Sequence, residues 1–244
     1  MSNICNNSIN IRGSKENIIA FVNKGLSALG VEPINSVEEI VPTINKYPCN
    51  KRNPLFSRCT ESTEHKSVKS APYQLGYFSL ECFVPMPQTY YKVDTANPFT
   101  SDAEVGSEKY CEELAIYHNE IAYQKETYGI VGWYNWRAKH FGDKWNCELY
   151  AEDCVIECDG AVVLSLYAES AWSPIDAWLK TVQDQNRTLR FQLVGEECGN
   201  NILDEYTPTD YAEDVNTFTE DKEVEFEYFD RSDELVEEDC DDEF

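Results

Sequence analysis

Apolar and polar positions alternate with a period of two from Ser8 to Arg12, with Ile9 and Ile11 on one face and Ser8, Asn10 and Arg12 on the other. The alternation predicts a short opening strand that Ile4 extends and Gly13 ends. From Ser14 the period changes to that of a helix: Ile18, Ile19, Val22, Leu26 and Leu29 form one stripe, with Ser14 as N-cap and Gly30 as terminator. Five prolines (Pro33, Pro42, Pro48, Pro54, Pro72) break the stretch up to residue 72, which reads as an insertion with at most a short element over 37–44. Residues 75–84 (LGYFSLECFV) have the aromatic, alternating look of a strand ending at Pro85. Tyr110, Leu114, Tyr117, Ile121 and Tyr128 then recur at helical spacing, predicting a helix of about five turns over 107–128 with this stripe in the core.

Residues 132–147 (GWYNWRAKHFGDKWNC) hold three of the five tryptophans. Two extended runs follow, 148–158 and 161–168, separated by Asp159 and Gly160, a pair that predicts a hairpin with a two-residue type I′ turn. Ser173 and Pro174 are placed to start a second helix as N-cap and first residue, with Ile175, Trp178, Leu179 and Val182 on its apolar face. Residues 189–194 (LRFQLV) alternate as a last core strand. Strand, helix, strand, strand, helix, strand is the order of a ferredoxin-like α+β fold, a split βαβ antiparallel sheet with helices on one face. The expected organisation is a ferredoxin-like domain over 1–200 with a large insertion at about 31–130, followed by an acidic extension over 201–244 that is partly ordered or disordered.

Composition sharpens this division. The formal charge is −25, and the last 49 residues carry 21 acidic side chains against Lys222 and Arg231, so −19 of it lies after Gly195. Residues 46–69 of the insertion are the one basic segment: Lys46, Lys51, Arg52, Arg58, Lys66 and Lys69 outnumber Glu61 and Glu64. It is read as a solvated loop, as a partner of the acidic tail or as a phosphate-contacting loop. No apolar run approaches the roughly 18 residues of a membrane span, and no secretory leader is evident, so a cytoplasmic protein with reduced core thiols is expected.

Three pieces resemble the YubB-type ferredoxin-like proteins carried by phages and plasmids. Asn3, Cys5, Asn7, Ile9, Ile11 and Gly13 are similar to that family's opening strand; residues 78–87 with Trp133, Tyr134, Trp136, Arg137, Phe141, Gly142, Lys144 and Trp145 are similar to its Trp-rich signature; and Ala171, Trp172, Ser173 and Pro174 match the lead into its second helix. Phe141 stands where the family usually has Trp. The resemblance implies the fold and a mobile-element origin in a bacterial host, and it brings no catalytic residues. The acidic tail departs from the family pattern.

Enzyme signatures are missing: there is no Gly-rich phosphate loop, no His-Glu-x-x-His and no Gly-x-Ser-x-Gly. No catalytic residue, cofactor or metal is assigned. Cys154 and Cys158, with Cys147 and His140, are the nearest approach to a metal cluster, but i and i+4 on a strand lie about 13 Å apart, too far to share one zinc.

The acidic end carries the sharper expectation. Residues 223–229 (EVEFEYF) alternate as a strand, which sets Glu223, Glu225 and Glu227 about 7 Å apart on one face, close to the phosphate spacing of a nucleic-acid strand. Glu213, Asp214, Glu220, Asp221, Glu223, Glu225, Glu227, Asp230, Asp233 and Glu234 are therefore the expected partner-binding surface. The expected function is that of a phage or plasmid accessory protein, a DNA mimic inhibiting a host nucleic-acid-binding or defence protein through that protein's basic groove. Direct nucleic-acid binding and membrane association are not expected. The alternatives are a small-ligand module or minor enzyme using Trp133, Trp136, Arg137, Lys139, His140, Lys144 and Trp145, or a virion component.

Overall fold

β1 (Ile4–Gly13) runs through the middle of a six-stranded antiparallel sheet. In the computed structural model, which describes residues 3–47, 75–93, 99–197, 202–208 and 226–230, the strand order is β2-β3-β1-β4-β5-β6. β2 (Tyr150–Ile156) and β3 (Val162–Ala171) form the expected hairpin, and β4 (Arg190–Glu197), β5 (Ile202–Pro208) and β6 (Phe226–Asp230) extend the sheet beyond β1. The fold is α+β.

The alternation read from the sequence decides which face is covered. Cys5, Asn7, Ile9 and Ile11 of β1 and Phe191 and Leu193 of β4 are buried, whereas Ser8 and Asn10 face away. On the buried face lie α1 (Lys15–Ala28) and α6 (Asp176–Gln185). Phe21 of α1 meets the Phe191 ring edge-on at 5.4 Å and stacks on Phe83 at 4.3 Å; Phe83 in turn meets Trp178 of α6. Fully burying such side chains contributes about 2 kcal/mol each, and edge-to-face or offset pairs add up to ~1 kcal/mol more. Gly25 allows the contact, because a Cβ there would come within 2.6 Å of Phe78 and 2.7 Å of Phe83.

α1 keeps its sequence signals: Ser14 Oγ accepts from the Asn17 N–H at 3.3 Å, and Gly30 adopts φ +69° after the last turn. Four other expectations change. Residues 75–84 form no strand; a 3-10 turn at Leu80–Cys82 interrupts them, leaving one bridge between Ser79 and Glu148. The hairpin turn has three residues: Gly160 N–H bonds to Glu157 O, and only Gly160 has positive φ, so the two-residue type I′ turn is replaced by a turn that ends in a left-handed glycine. Ser173 does not cap α6; its hydroxyl donates to Gly142 O, and the Ile175 N–H at the helix start is taken by Asn7 Oδ1 at 3.1 Å.

The last change concerns α4 (Glu108–Tyr128), which forms where predicted but buries only Tyr117 and Gln124 rather than the whole stripe. Gln124 anchors it: the side chain donates to Thr89 O in the short α3 (Thr89–Lys92) and accepts from the Gly132 N–H. α2 (Ile40–Ile44) packs beside β2. α5 (Trp133–Phe141) is built from the Trp-rich stretch.

Candidate functional site

Two regions hold the residues singled out by sequence. The first is α5 with the segment that follows it. Trp136 and Trp145 are buried in the common core, and Trp133 is half-buried against it. Trp136 stacks on the His140 ring at 4.4 Å; burial, and then the Lys139 charge, hold that imidazole below its ordinary pKa. Lys139 is exposed, and the half-buried Lys144 places its ammonium 5.6 Å from the Trp145 ring centre.

Arg137 does not join them at the surface. It is 2 % exposed, and its Nε and Nη2 donate to Glu81 Oε1 at 2.9 and 2.6 Å, while the Tyr91 hydroxyl donates to the other Glu81 oxygen. The Trp133 ring lies 5.5 Å from the guanidinium carbon, within cation–π range. Sequence reasoning placed Arg137 on the alternative ligand face and missed its partner. The signal was present: Glu81 is the one charge inside the apolar run 75–84.

Other polar groups are buried close by in the chain. Asn146 Oδ1 accepts from the Glu81 N–H, and Tyr77 O–H donates to Asn146 O. Asp143 accepts from the Lys144 and Ala171 N–H groups; burial still pushes its carboxyl up, and together with burial its charge pushes the Cys147 thiol well up. These groups satisfy one another, so the region reads as an internal polar network binding segment 77–91 to α5. Among the described residues, no group of three or more His, Cys, Asp or Glu is placed to hold a metal ion. Cys154 is half-buried on β2, and Cys158 is exposed in the turn beyond it.

The second region is the acidic edge. Of the ten expected acidic contact residues, Glu227 and Asp230 lie in β6; Glu213, Asp214, Glu220, Asp221, Glu223, Glu225, Asp233 and Glu234 lie outside the described residues. The expected strand over 223–229 is observed from Phe226 onward. β6 pairs with β5 in a register that sets Asp230 opposite Asp204 and Glu227 opposite Thr207. β5 is fixed to the body on both faces. Tyr206 packs against the core with the Lys180 ammonium 5.5 Å from its ring, and Glu205 accepts from Gln192 at 2.8 Å. Lys180 is itself paired with Asp176 at 2.8 Å. The boundary read near residue 200 thus falls between two neighbouring strands of one sheet.

No protein-family model matches the chain, and no curated protein matches it. One solved structure, titled as the protein api92 from Yersinia pseudotuberculosis, is similar over 84 % of this chain and 94 % of that one, at 9 % identity and a TM-score of 0.34. No helix among the described residues is long and apolar enough to cross a membrane.

Proposed function

We propose that the chain is an interaction protein of mobile-element origin that occupies the basic nucleic-acid-binding groove of a host protein with its acidic sheet edge. The observation that carries this reading is the pairing of β6 on β5: part of the acidic segment is held in register at the rim of the sheet, with Asp204 and Asp230 directly opposite. Acidic positions gathered along one sheet edge would attract a cationic partner in a salt-dependent way.

Two further parts of the reading concern the body. Residues up to Glu197 are taken as a ferredoxin-like core with additions between its first helix and its hairpin. Support comes from the position of β1 between β3 and β4, with α1 and α6 on one face. On this reading the chain belongs with the YubB-type proteins of phages and plasmids. The Trp-rich signature then serves the body, because Trp136, Trp145 and Arg137 are buried there.

The test uses a bacterial host protein captured by the full chain and shown to bind duplex DNA or RNA. The full chain should displace labelled nucleic acid from it, more weakly as salt rises, and deletion of 209–244, which leaves β5 in place, should abolish displacement. Displacement that survives this deletion unchanged refutes the proposal and is the outcome expected if the Trp-rich face binds instead.

A further inference from the structure

β2 is the sheet edge opposite β6, and its outer side is only partly occupied. At the mouth of the hairpin Glu157 N–H bonds to Ala161 O at 2.8 Å. Alternation along an antiparallel ladder then turns the backbone groups of Ile156 and Cys154 outward. Beyond the irregularity between Ala151 and Asp153, both groups of Ala151 also face out, and the Asn45 side-chain amide takes them: it accepts from Ala151 N–H at 3.0 Å and donates to Ala151 O at 2.8 Å. Asp153 Oδ1 takes the Cys154 N–H at 2.7 Å. Among the described residues nothing bonds to the Cys154 carbonyl or to the N–H and carbonyl of Ile156 on that side.

This stretch is apolar and acidic together. Val155 and Ile156 are 46 % and 57 % exposed, in a strand that begins with the exposed Tyr150. Glu152 and Asp153 are exposed within this strand, and the exposed Glu38 lies just before α2, which packs beside β2. Burial, then the Asp153 and Glu38 charges, push the Cys154 thiol to about 11.

We propose that the outer edge of β2 from Cys154 to Ile156 accepts an extended, lysine- or arginine-bearing segment of a partner protein as an added strand. Strand addition draws its affinity from main-chain hydrogen bonds and its selectivity from alternate side chains. The open groups of Cys154 and Ile156 supply the first, Val155 and Ile156 an apolar contact, and Glu38, Glu152 and Asp153 the charge complement. Asn45 fills the place of the next pairing residue, so the added strand ends there. Asp153 can exchange its own backbone bond for an incoming ammonium while the partner's carbonyl takes the Cys154 N–H. The proposal is independent of the acidic β5–β6 edge, which lies at the other side of the sheet.

The probe is a blocked Lys-Val-Lys-Val-Lys-Val peptide titrated into the isotope-labelled full chain, with a Glu-Val hexapeptide as control. Amide shifts should centre on residues 153–157, with Ile156 hydrogen exchange slowed about tenfold at saturation. Ile156→Pro removes an outward N–H at an edge, where proline is tolerated, and should weaken binding about tenfold. Glu152→Lys, which leaves the backbone groups intact, should weaken it about threefold and flatten its salt dependence. The proposal is overturned if the peptide fails to bind at ~5 mM, a weak-affinity limit for so short a strand, if shifts map elsewhere, or if the Glu-Val peptide binds equally well. Unchanged binding by Glu152→Lys or Ile156→Pro also overturns it. So does a concentration-dependent dimer with peptide-free shifts at β2, which would assign the edge to a second copy.

Discussion

Arg137→Met keeps a long side chain in a fully buried place but leaves the Glu81 carboxylate with the Tyr91 hydroxyl in place of a guanidinium at 2.6 and 2.9 Å. Both side chains are 2 % exposed, so water cannot replace the lost partner. Removing one member of a buried pair costs about 3–5 kcal/mol. In a chain of this size each kcal/mol lowers Tm by ~2–4 °C, so a drop of about 6–20 °C is expected. The double variant Glu81→Leu with Arg137→Met removes both charges and should recover to within ~1 kcal/mol of the parent, since desolvation of the pair offsets most of its attraction.

The loss should also depend on pH. Burial raises the Glu81 carboxyl above its ordinary 4.5, against the pull of the Arg137 charge. A carboxyl that holds its proton more tightly folded than unfolded stabilises the fold fully below its unfolded value, and that contribution is lost as pH rises through the folded value. Without Arg137 the folded value rises further. The penalty should therefore be largest at neutral pH and shrink as pH falls toward 4.5. Urea unfolding of the parent, both single variants and the double variant across that range measures it. A single variant within 1 kcal/mol of the parent at neutral pH, or a penalty flat with pH, refutes the reasoning.

Two more outcomes follow from buried amides. Asn7 Nδ2 donates to Cys5 O, Ala168 O and Ser170 Oγ while its Oδ1 takes the Ile175 N–H, so Asn7→Leu strands several backbone groups and should cost about 2–4 kcal/mol in urea unfolding. An unchanged unfolding midpoint would show that those groups find other partners. Gln124→Ala should loosen α4 locally, accelerating exchange of the Gly132 amide about 10-fold for a loss of ~1.4 kcal/mol while global unfolding changes less. Equal acceleration throughout α1 would place the effect in the whole fold instead.

Local chemistry made parts of this structure readable. The Ser14 cap, the Gly30 stop and the face assignment of β1 depend on neighbours within a turn or on strict alternation, and all three hold. The hairpin was legible from its alternation, but its turn recruited Cys158 as well as Asp159 and Gly160, which a dipeptide rule does not resolve. Residues 75–84 misled because Glu81 sits in an apolar run; its partner Arg137 is 56 residues away, and Glu81 lies in the middle of a 3-10 turn rather than in a strand. Ser173 misled for a similar reason. The group that occupies the start of α6 comes from Asn7, 168 residues earlier, and no local pattern announces it. In α4 the apolar stripe overstated burial because the residue that ties the helix down most fully is a glutamine. The acidic end was legible as charge, whereas its joining to the sheet was not, since pairing of β5 with β4 depends on Tyr206 and Lys180 rather than on acidity.

The central place of β1 has a consequence for how the chain is made. Asn7 binds Ala168, Ser170 and Ile175, which follow it by 161 to 168 residues, and β4 follows later still. At a synthesis rate of ~5–20 residues per second, the first strand therefore waits about 10–35 seconds for either neighbour to leave the ribosome. During that interval Ile9 and Ile11 are unpaired, and the waiting segment is a natural client for a chaperone that binds short apolar stretches of nascent chain.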